Sequence, residues 1–411
     1  MNRHSSKDFD TLETTDVLVV GAGPAGLVTA IGLARHGVPT LLVERRADLS
    51  SFPRATGISP RTMEIMRGWG LEQRVRDVAF EALPLGRVAP TLTSPEGETV
   101  PLGLPTEEEL RPISPTTYAA AAQDAFEPVL ADEARTQGTD IRFDTELVAL
   151  HQDDDCVTAL LRDVTTHRRW AVRARYLVGA DGSRSAVRAA TGITMTGQDD
   201  LEEFITTLFR APLEAHVATP YGLNMIPGPA GLVVMLPTGG DRWVHAQTWD
   251  PDTQRLLEFT PERMTEMIRV ASGVANLPVQ ILSTNAFSFA AQVADSFRSD
   301  RVFLVGDAAH RMTPRGGAGM NTAIHDAHNL AWKLAFVLRG CAAPRLLDTY
   351  EEERRPIGEA NTRRSAEPTS AALDALAIDI GVTYERGALA PEAGWPQPPE
   401  KTWQPTGRPG A

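Results

Sequence analysis

Two cysteines, Cys156 and Cys341, are all that the 411 residues hold, and they lie far apart with no CxxC spacing. This excludes a disulfide framework and a cysteine-built zinc cluster, and it fits a reducing cytoplasm. Basic charge is also scarce: 40 Lys and Arg stand against 53 Asp and Glu, a formal net charge of −13. Nucleic acid and anionic membrane surfaces require clustered cations, so neither is an expected partner. Met1 to Thr15 lacks the basic-then-apolar layout of a secretory leader. The longest apolar run, Val17 to Ala34, is broken early by Gly21, Gly23, Pro24 and Gly26, which makes it a strand, a turn and a helix instead of a membrane span. No internal repeat stands out, and neither HExxH nor GxSxG occurs, which removes the usual zinc-hydrolase and acyl-transfer readings.

What is present is an ordinary globular composition, 42% hydrophobic and 23% charged, long enough for two lobes. Asp16 to Val20 reads as a buried strand, Pro24 to His36 as a helix stopping at Gly37, and Thr40 to Val43 as the next strand. That βαβ unit demands a parallel sheet. Pro60 to Val75 and Tyr118 to Arg135 read as helices, Glu146 to Leu161 and Arg168 to Val178 as strands, and Arg301 to Val305 as a strand leading toward a long helix, Met320 to Leu338. Past Pro356 the pattern decays. The expected fold class is α/β: a Rossmann-like nucleotide-binding domain, residues 1–83, 116–200 and 290–365, with a second, mixed-sheet substrate domain, residues 84–115 and 201–289, and a tail, residues 366–411.

Three segments carry chemistry. Gly21-Ala-Gly23-Pro24-Ala25-Gly26 sits between strand and helix, with Glu44 following at a strand end. The glycines give a tight turn, close backbone approach to a pyrophosphate and close helix–strand packing, while the acid accepts from ribose hydroxyls; Arg45 stands beside it. In Gly306-Asp307-Ala-Ala-His310, the acid ends a strand and can accept from a polyol. The following loop, Pro314, Gly316, Gly317, Gly319, Met320 and Asn321, opens a helix whose dipole stabilises negative charge on a flat ring. Asp181-Gly182-Ser-Arg184-Ser-Ala-Val-Arg188 is either a capped strand-to-helix turn or a grip on a dinucleotide. His325 and His328 share a helical face near His310 and Asp326, but their spacing and the packing helix around them indicate no metal.

Together these segments resemble the FAD-dependent aromatic hydroxylases typified by p-hydroxybenzoate hydroxylase and phenol hydroxylase, and most of all the bacterial polyketide-tailoring hydroxylases. The resemblance runs from Val17 to about Arg355. It implies that Gly21, Gly23, Gly26 and Glu44 hold the ADP half of FAD, that Arg54 and Gln123 contact FAD, and that Asp181-Gly182 serves FAD and NAD(P)H. It likewise implies that Asp307 meets the ribityl chain and that Pro314, Gly316 and Gly317 flank the reactive edge of the flavin. Ala318 departs from the Gln or Thr common there. The implied reaction uses NADPH or NADH as transient reductant and O2, with a flavin C4a-hydroperoxide oxygenating an aromatic or polycyclic small molecule. A homodimer is compatible with it. Ring hydroxylation competes with oxygen insertion beside a ketone, with a plain NAD-dependent dehydrogenase and with a non-catalytic FAD-binding protein. Polyketide relatives continue past a segment like Thr406 to Gly410 into a thioredoxin-like domain, and its absence from this sequence is expected to leave the site intact. In Arg242 to Trp249, period-2 alternation puts Trp243, His245, Gln247 and Trp249 on one face, either a wall for the substrate or sheet core; Tyr221 and Met225 carry the same two readings. No side-chain base is assignable from spacing.

Overall fold

The computed structural model describes residues 12–228, 231–367, 378–382, 384 and 386–388. Most of the expected tail lies outside the described residues. The first strand, Leu12–Val20, pairs in parallel with Thr40–Val43 on one side and with Arg169–Gly179 on the other. Asp140–Arg142 extends the parallel sheet beyond Thr40–Val43, and Val302–Leu304 extends it beyond Arg169–Gly179. A hairpin, Thr145–Gln152 with Val157–Asp163, is laid antiparallel on the edge of Arg169–Gly179, so the single strand expected over residues 146–161 is two. Val17, Leu18 and Val19 are all fully buried, as a central parallel strand covered on both faces must be. The helices Pro24–Arg35, Gln123–Thr136 and Gly319–Leu338 supply much of that cover, and one large core joins them to the sheet.

Three expectations need correction. The helix read over residues 60–75 is two, Pro60–Gly68 and Glu72–Asp77, separated by Gly70 at φ 78, a left-handed residue that stops an α-helix. The alanine run before residue 123 is a short strand, Ala119–Ala120, paired with Gly57–Ile58, and the helix starts only at Gln123. The last helix, Asp348–Ala366, continues through Pro356 instead of decaying there.

The second lobe is a seven-stranded mixed sheet. Its centre is antiparallel, Gln280–Ser288, Glu203–Arg210, Arg242–Thr248, Gly231–Pro237 and Tyr221–Gly228 in that order. Its outer strands, Leu83–Val88 and Glu98–Pro101, come from the early excursion, and Leu83–Val88 joins Tyr221–Gly228 in parallel. One face is covered by the helix Pro261–Ser272, where Phe209, Ile226, Met235 and Trp243 pack against Ile268 and Ala271. An ion pair between Arg242 and Asp124 ties this lobe to the first turn of the Gln123 helix.

Candidate FAD site

The crossing from the first strand to the first helix is built by three glycines that the structure uses differently. Gly21 has φ 107, and a Cβ there would lie 2.4 Å from the Ala180 carbonyl oxygen; a Cβ on Gly26 would lie 1.9 Å from the Gly21 carbonyl oxygen. These two are glycine because backbone passes against backbone. A Cβ on Gly23 would meet no atom within 4 Å, so its face is open. Gly23 caps the helix Pro24–Arg35 without any side-chain hydrogen bond to the first turn. Pro24 has no N–H, and the amides of Ala25 and Gly26 point along an uncapped helix start, where an anion is stabilised.

Glu44 ends the next strand at 6% exposure. Its carboxylate accepts from the Ala22 amide at 2.9 Å and from the Arg46 amide and Nε, both at 3.0 Å. Burial pushes its carboxyl up, but the Arg46 and Ala22 hydrogen bonds outweigh it and leave the group below its ordinary value. Arg46 therefore holds this acid, a role the sequence did not distinguish from that of the exposed Arg45.

Asp307 follows Gly306, which has φ 60 and lies against Ala323 of the long helix. The Asp307 side chain is exposed, and among the described residues no group donates a hydrogen bond to it. The surrounding protein nevertheless pushes its carboxyl up, with His310, Arg54 and Arg311 opposing, as expected for an acid in a walled cleft open to solvent. Beneath the turn, Asp326 accepts from His310 Nε2 at 2.5 Å, from Arg354 Nε at 2.8 Å and from the Gly306 amide at 3.4 Å. His310 thus serves the turn from below, while His325 Nε2 lies 3.1 Å from Thr62 Oγ1 and His328 packs on Trp69. Among the described residues no three His, Cys, Asp or Glu side chains gather as a metal site, and no helix is long and apolar enough to cross a membrane.

The loop Pro314 to Gly317 precedes the helix Gly319–Leu338, whose first turn again lacks a side-chain cap. Gly316 and Gly317 have φ 78 and 62, and a Cβ on either would meet nothing within 4 Å. Gly319 and Met320 open the helix. Asn321 is spent entirely on the protein: its Oδ1 accepts from the Ser59 amide at 3.0 Å and Thr62 Oγ1 at 2.9 Å, and its Nδ2 donates to the carbonyls of Gly57 at 3.1 Å and Gly317 at 3.3 Å. It clamps the glycine loop to the Gly57 strand, where Tyr118 also packs, its hydroxyl pushed up to about 12 by burial.

Arg54 and Gln123 are brought together, since the Gln123 amide donates to the Ala55 carbonyl at 2.8 Å. The turn is capped by Ser185, whose Oγ accepts from the Arg188 amide at 2.9 Å and donates to Asp181 at 2.5 Å, and Asp181 also accepts from the Val187 amide at 3.1 Å. Gly182 turns the chain there at φ 80, and Arg188 donates to the carbonyls of Ser183 and Ala308.

Of the two readings of Arg242 to Trp249, sheet core fits the packing. Trp243, His245 and Gln247 do share a face, but it is the one under the helix Pro261–Ser272, with Trp243 inside that core. His245 is fully buried, among the described residues neither ring nitrogen has a partner, and burial lowers its pKa to about 4. Met225 lies on the opposite face, opposite Val234, while the Tyr221 hydroxyl lies 2.9 Å from Thr99 Oγ1 of the outer strand. There Phe204 and Phe289 stack with centroids 4.4 Å apart, and Phe287 lies 5.4 Å from Phe289 with 38% of its surface exposed. Arg315 of the glycine loop sits 5.6 Å over the Phe289 ring and pairs with Glu202. The sequence reading missed this stack, although Phe287-Ser-Phe289 is itself a period-2 signal.

These residues fit FAD. Two open glycine positions with uncapped helix starts suit its phosphates and ring, and Glu44 and the unpartnered Asp307 offer acceptors for its hydroxyls. Residues 14–365 match the family described as FAD binding domain. The chain is 41% identical over 376 residues to a "Putative polyketide hydroxylase" of Streptomyces halstedii, covering 89% of this chain and 67% of that protein. It is 36% identical over 433 residues to the tetracenomycin A2 monooxygenase-dioxygenase of Streptomyces glaucescens, covering 97% and 77%. Among solved structures it resembles the flavin-dependent monooxygenase PieE in complex with FAD and substrate, with a TM-score of 0.89, 31% identity and coverage of 98% and 80%. It also resembles a ternary complex of aklavinone-11 hydroxylase with FAD and aklavinone, with a TM-score of 0.81, 36% identity and coverage of 92% and 72%. The chain belongs to the FAD-dependent aromatic hydroxylase family and is an oxidoreductase of the flavoprotein monooxygenase class.

Proposed function

We propose that the protein hydroxylates a polycyclic, polyketide-like aromatic ring at the expense of NAD(P)H and O2. The observation that carries the substrate class is the Phe204, Phe289 and Phe287 group: rings already stacked, one of them open, joined by Arg315 to the loop beside the flavin position. A flat ring laid on Phe287 gains offset stacking of about 0.5–1.5 kcal/mol beyond the area it buries. When bound, FAD supplies the redox chemistry, taking reducing equivalents from the nicotinamide and passing one oxygen atom from O2 to the substrate. The chain's part is to hold and orient. Glu44 would accept from the ADP half and Asp307 from the flavin half, and the Gly316-Gly317 amides would stabilise negative charge on the ring. Met225 extends the apolar wall on the sheet face shared with Phe204.

The test is NAD(P)H oxidation and O2 uptake against simple phenols and polycyclic quinones, with the product analysed after reaction under labelled O2. Polycyclic substrates are expected to stimulate oxidation and gain one labelled hydroxyl oxygen, and Phe287→Ala is expected to raise their KM roughly tenfold while FAD stays bound. Lactone formation, or oxidation that no aromatic compound stimulates, would overturn the reading.

A further inference from the structure

We infer that Glu127 is a positioning residue for the cofactor, fixing the Gln123 amide so that its carbonyl oxygen, and not its NH2, faces the site. This rests on FAD occupying the cleft. On the helix Gln123–Thr136 the two residues are four apart, hence neighbours on one face. Gln123 Nε2 donates to Glu127 Oε1 at 2.6 Å, and Glu127 Oε2 accepts from the Ser50 amide at 3.3 Å. Glu127 is 1% exposed. Burial pushes its carboxyl above the ordinary value, and the hydrogen bonds from Gln123 and Ser50 with the charges of Arg46 and Arg54 only partly oppose that shift.

With Oε2 accepting from the Ser50 amide, Oε1 is the atom that faces Gln123, and it accepts from the amide nitrogen, the end turned toward it. The reverse orientation would set a carbonyl oxygen against that oxygen and leave its acceptor unmatched. Gln123 Oε1 then points away, and among the described residues nothing donates to it. Position 123 therefore offers an acceptor. It suits a hydroxyl or N–H of the cofactor and opposes a phosphate oxygen.

Glu127 acts on a second group as well. Arg54 is exposed, forms no ion pair among the described residues, and lies close enough to influence both Glu127 and Asp307. The hydrogen bond from the Gln123 backbone N–H to the Ala55 carbonyl fixes the segment carrying Arg54 to the start of the same helix. One buried carboxylate thus sets the orientation of an amide and balances a cation on the way to the acid at the far strand end.

The experiment is a double-mutant cycle on the full chain, reading FAD dissociation from the holoprotein by recovery of flavin fluorescence. Glu127→Met keeps the length of the side chain and removes both acceptors; it is expected to weaken FAD roughly tenfold, but less than about threefold in the Gln123→Ala background. Should Glu127→Met fail to fold, Glu127→Gln carries the same cycle, because it keeps the shape and frees the Gln123 amide to take either orientation. Equal weakening in both backgrounds would show a merely structural residue and overturn the inference, as would unchanged affinity. A wild-type chain that does not retain FAD would instead overturn the underlying FAD reading, so the two failures are distinguishable.

Discussion

Replacing Gly23 and Gly26 by alanine, one at a time, separates binding from folding in the first motif. At Gly23 the backbone is extended, φ −76 and ψ −179, which alanine adopts freely, and its Cβ would enter open space. Folding stability should therefore change by less than about 1 kcal/mol. The same methyl would stand where the pyrophosphate approaches the backbone, displacing one hydrogen bond to a charged group at about 1.5–3 kcal/mol. FAD should weaken by roughly ten- to a hundredfold. At Gly26 the Cβ would lie 1.9 Å from the Gly21 carbonyl oxygen, and both partners are backbone, so strand and helix must separate. That overpacking costs about 1–3 kcal/mol or more and lowers the melting temperature of the FAD-free protein by several degrees. Thermal melting of the FAD-free form and flavin titration measure the two effects. Unchanged FAD affinity in Gly23→Ala, or an unchanged melting temperature in Gly26→Ala, would refute the assignment of open and packed glycines.

Two further predictions concern buried bases. His245 is held neutral by burial with a pKa of about 4 against 6.5 when unfolded, so the unfolded chain takes up a proton that the folded one refuses, and stability is lost as pH falls from 6.5 toward 4. The loss reaches roughly 3 kcal/mol, and denaturant unfolding across that range should show a shallower slope in His245→Leu; an unchanged slope would disprove it. Lys333 lies 2.7 Å from Glu353 in the core, and burial lowers its pKa to about 8 from 10.5. Here the unfolded chain binds the proton more tightly between those values, so this residue makes stability rise as pH goes from 8 to about 10, and Lys333→Met should remove that rise.

The nucleotide lobe was largely legible because its signals are local. A buried run, three glycines and an acid at the next strand end fix a strand, a turn and a helix start with little help from the rest of the chain. The second lobe was legible only to half. Alternation in Arg242–Thr248 does place Trp243, His245 and Gln247 together, but which face meets the flavin depends on where the helix Pro261–Ser272 packs, and no local pattern in the strand encodes that. Glu127 escaped notice for another reason: a glutamate four residues after a glutamine is an ordinary helical pair until Ser50 and Arg54 are brought to it from the other side of a loop. Asp181 shows the converse, since its motif admitted a capping turn and a dinucleotide grip, and the geometry displays a cap built on Ser185 that Asp181 braces.

The placement of Leu83–Val88 beside Tyr221–Gly228 has a consequence for how the chain is assembled. An early segment forms the edge of a sheet whose remaining strands are translated much later, after the chain has returned to the nucleotide lobe and completed Arg169–Gly179. On the ribosome that segment must wait, its pairing edge unfilled, until its neighbour emerges. No single cut leaves two pieces that each own a whole lobe, so the halves of this enzyme are interlaced and neither can be inherited, expressed or exchanged alone as one continuous stretch of sequence.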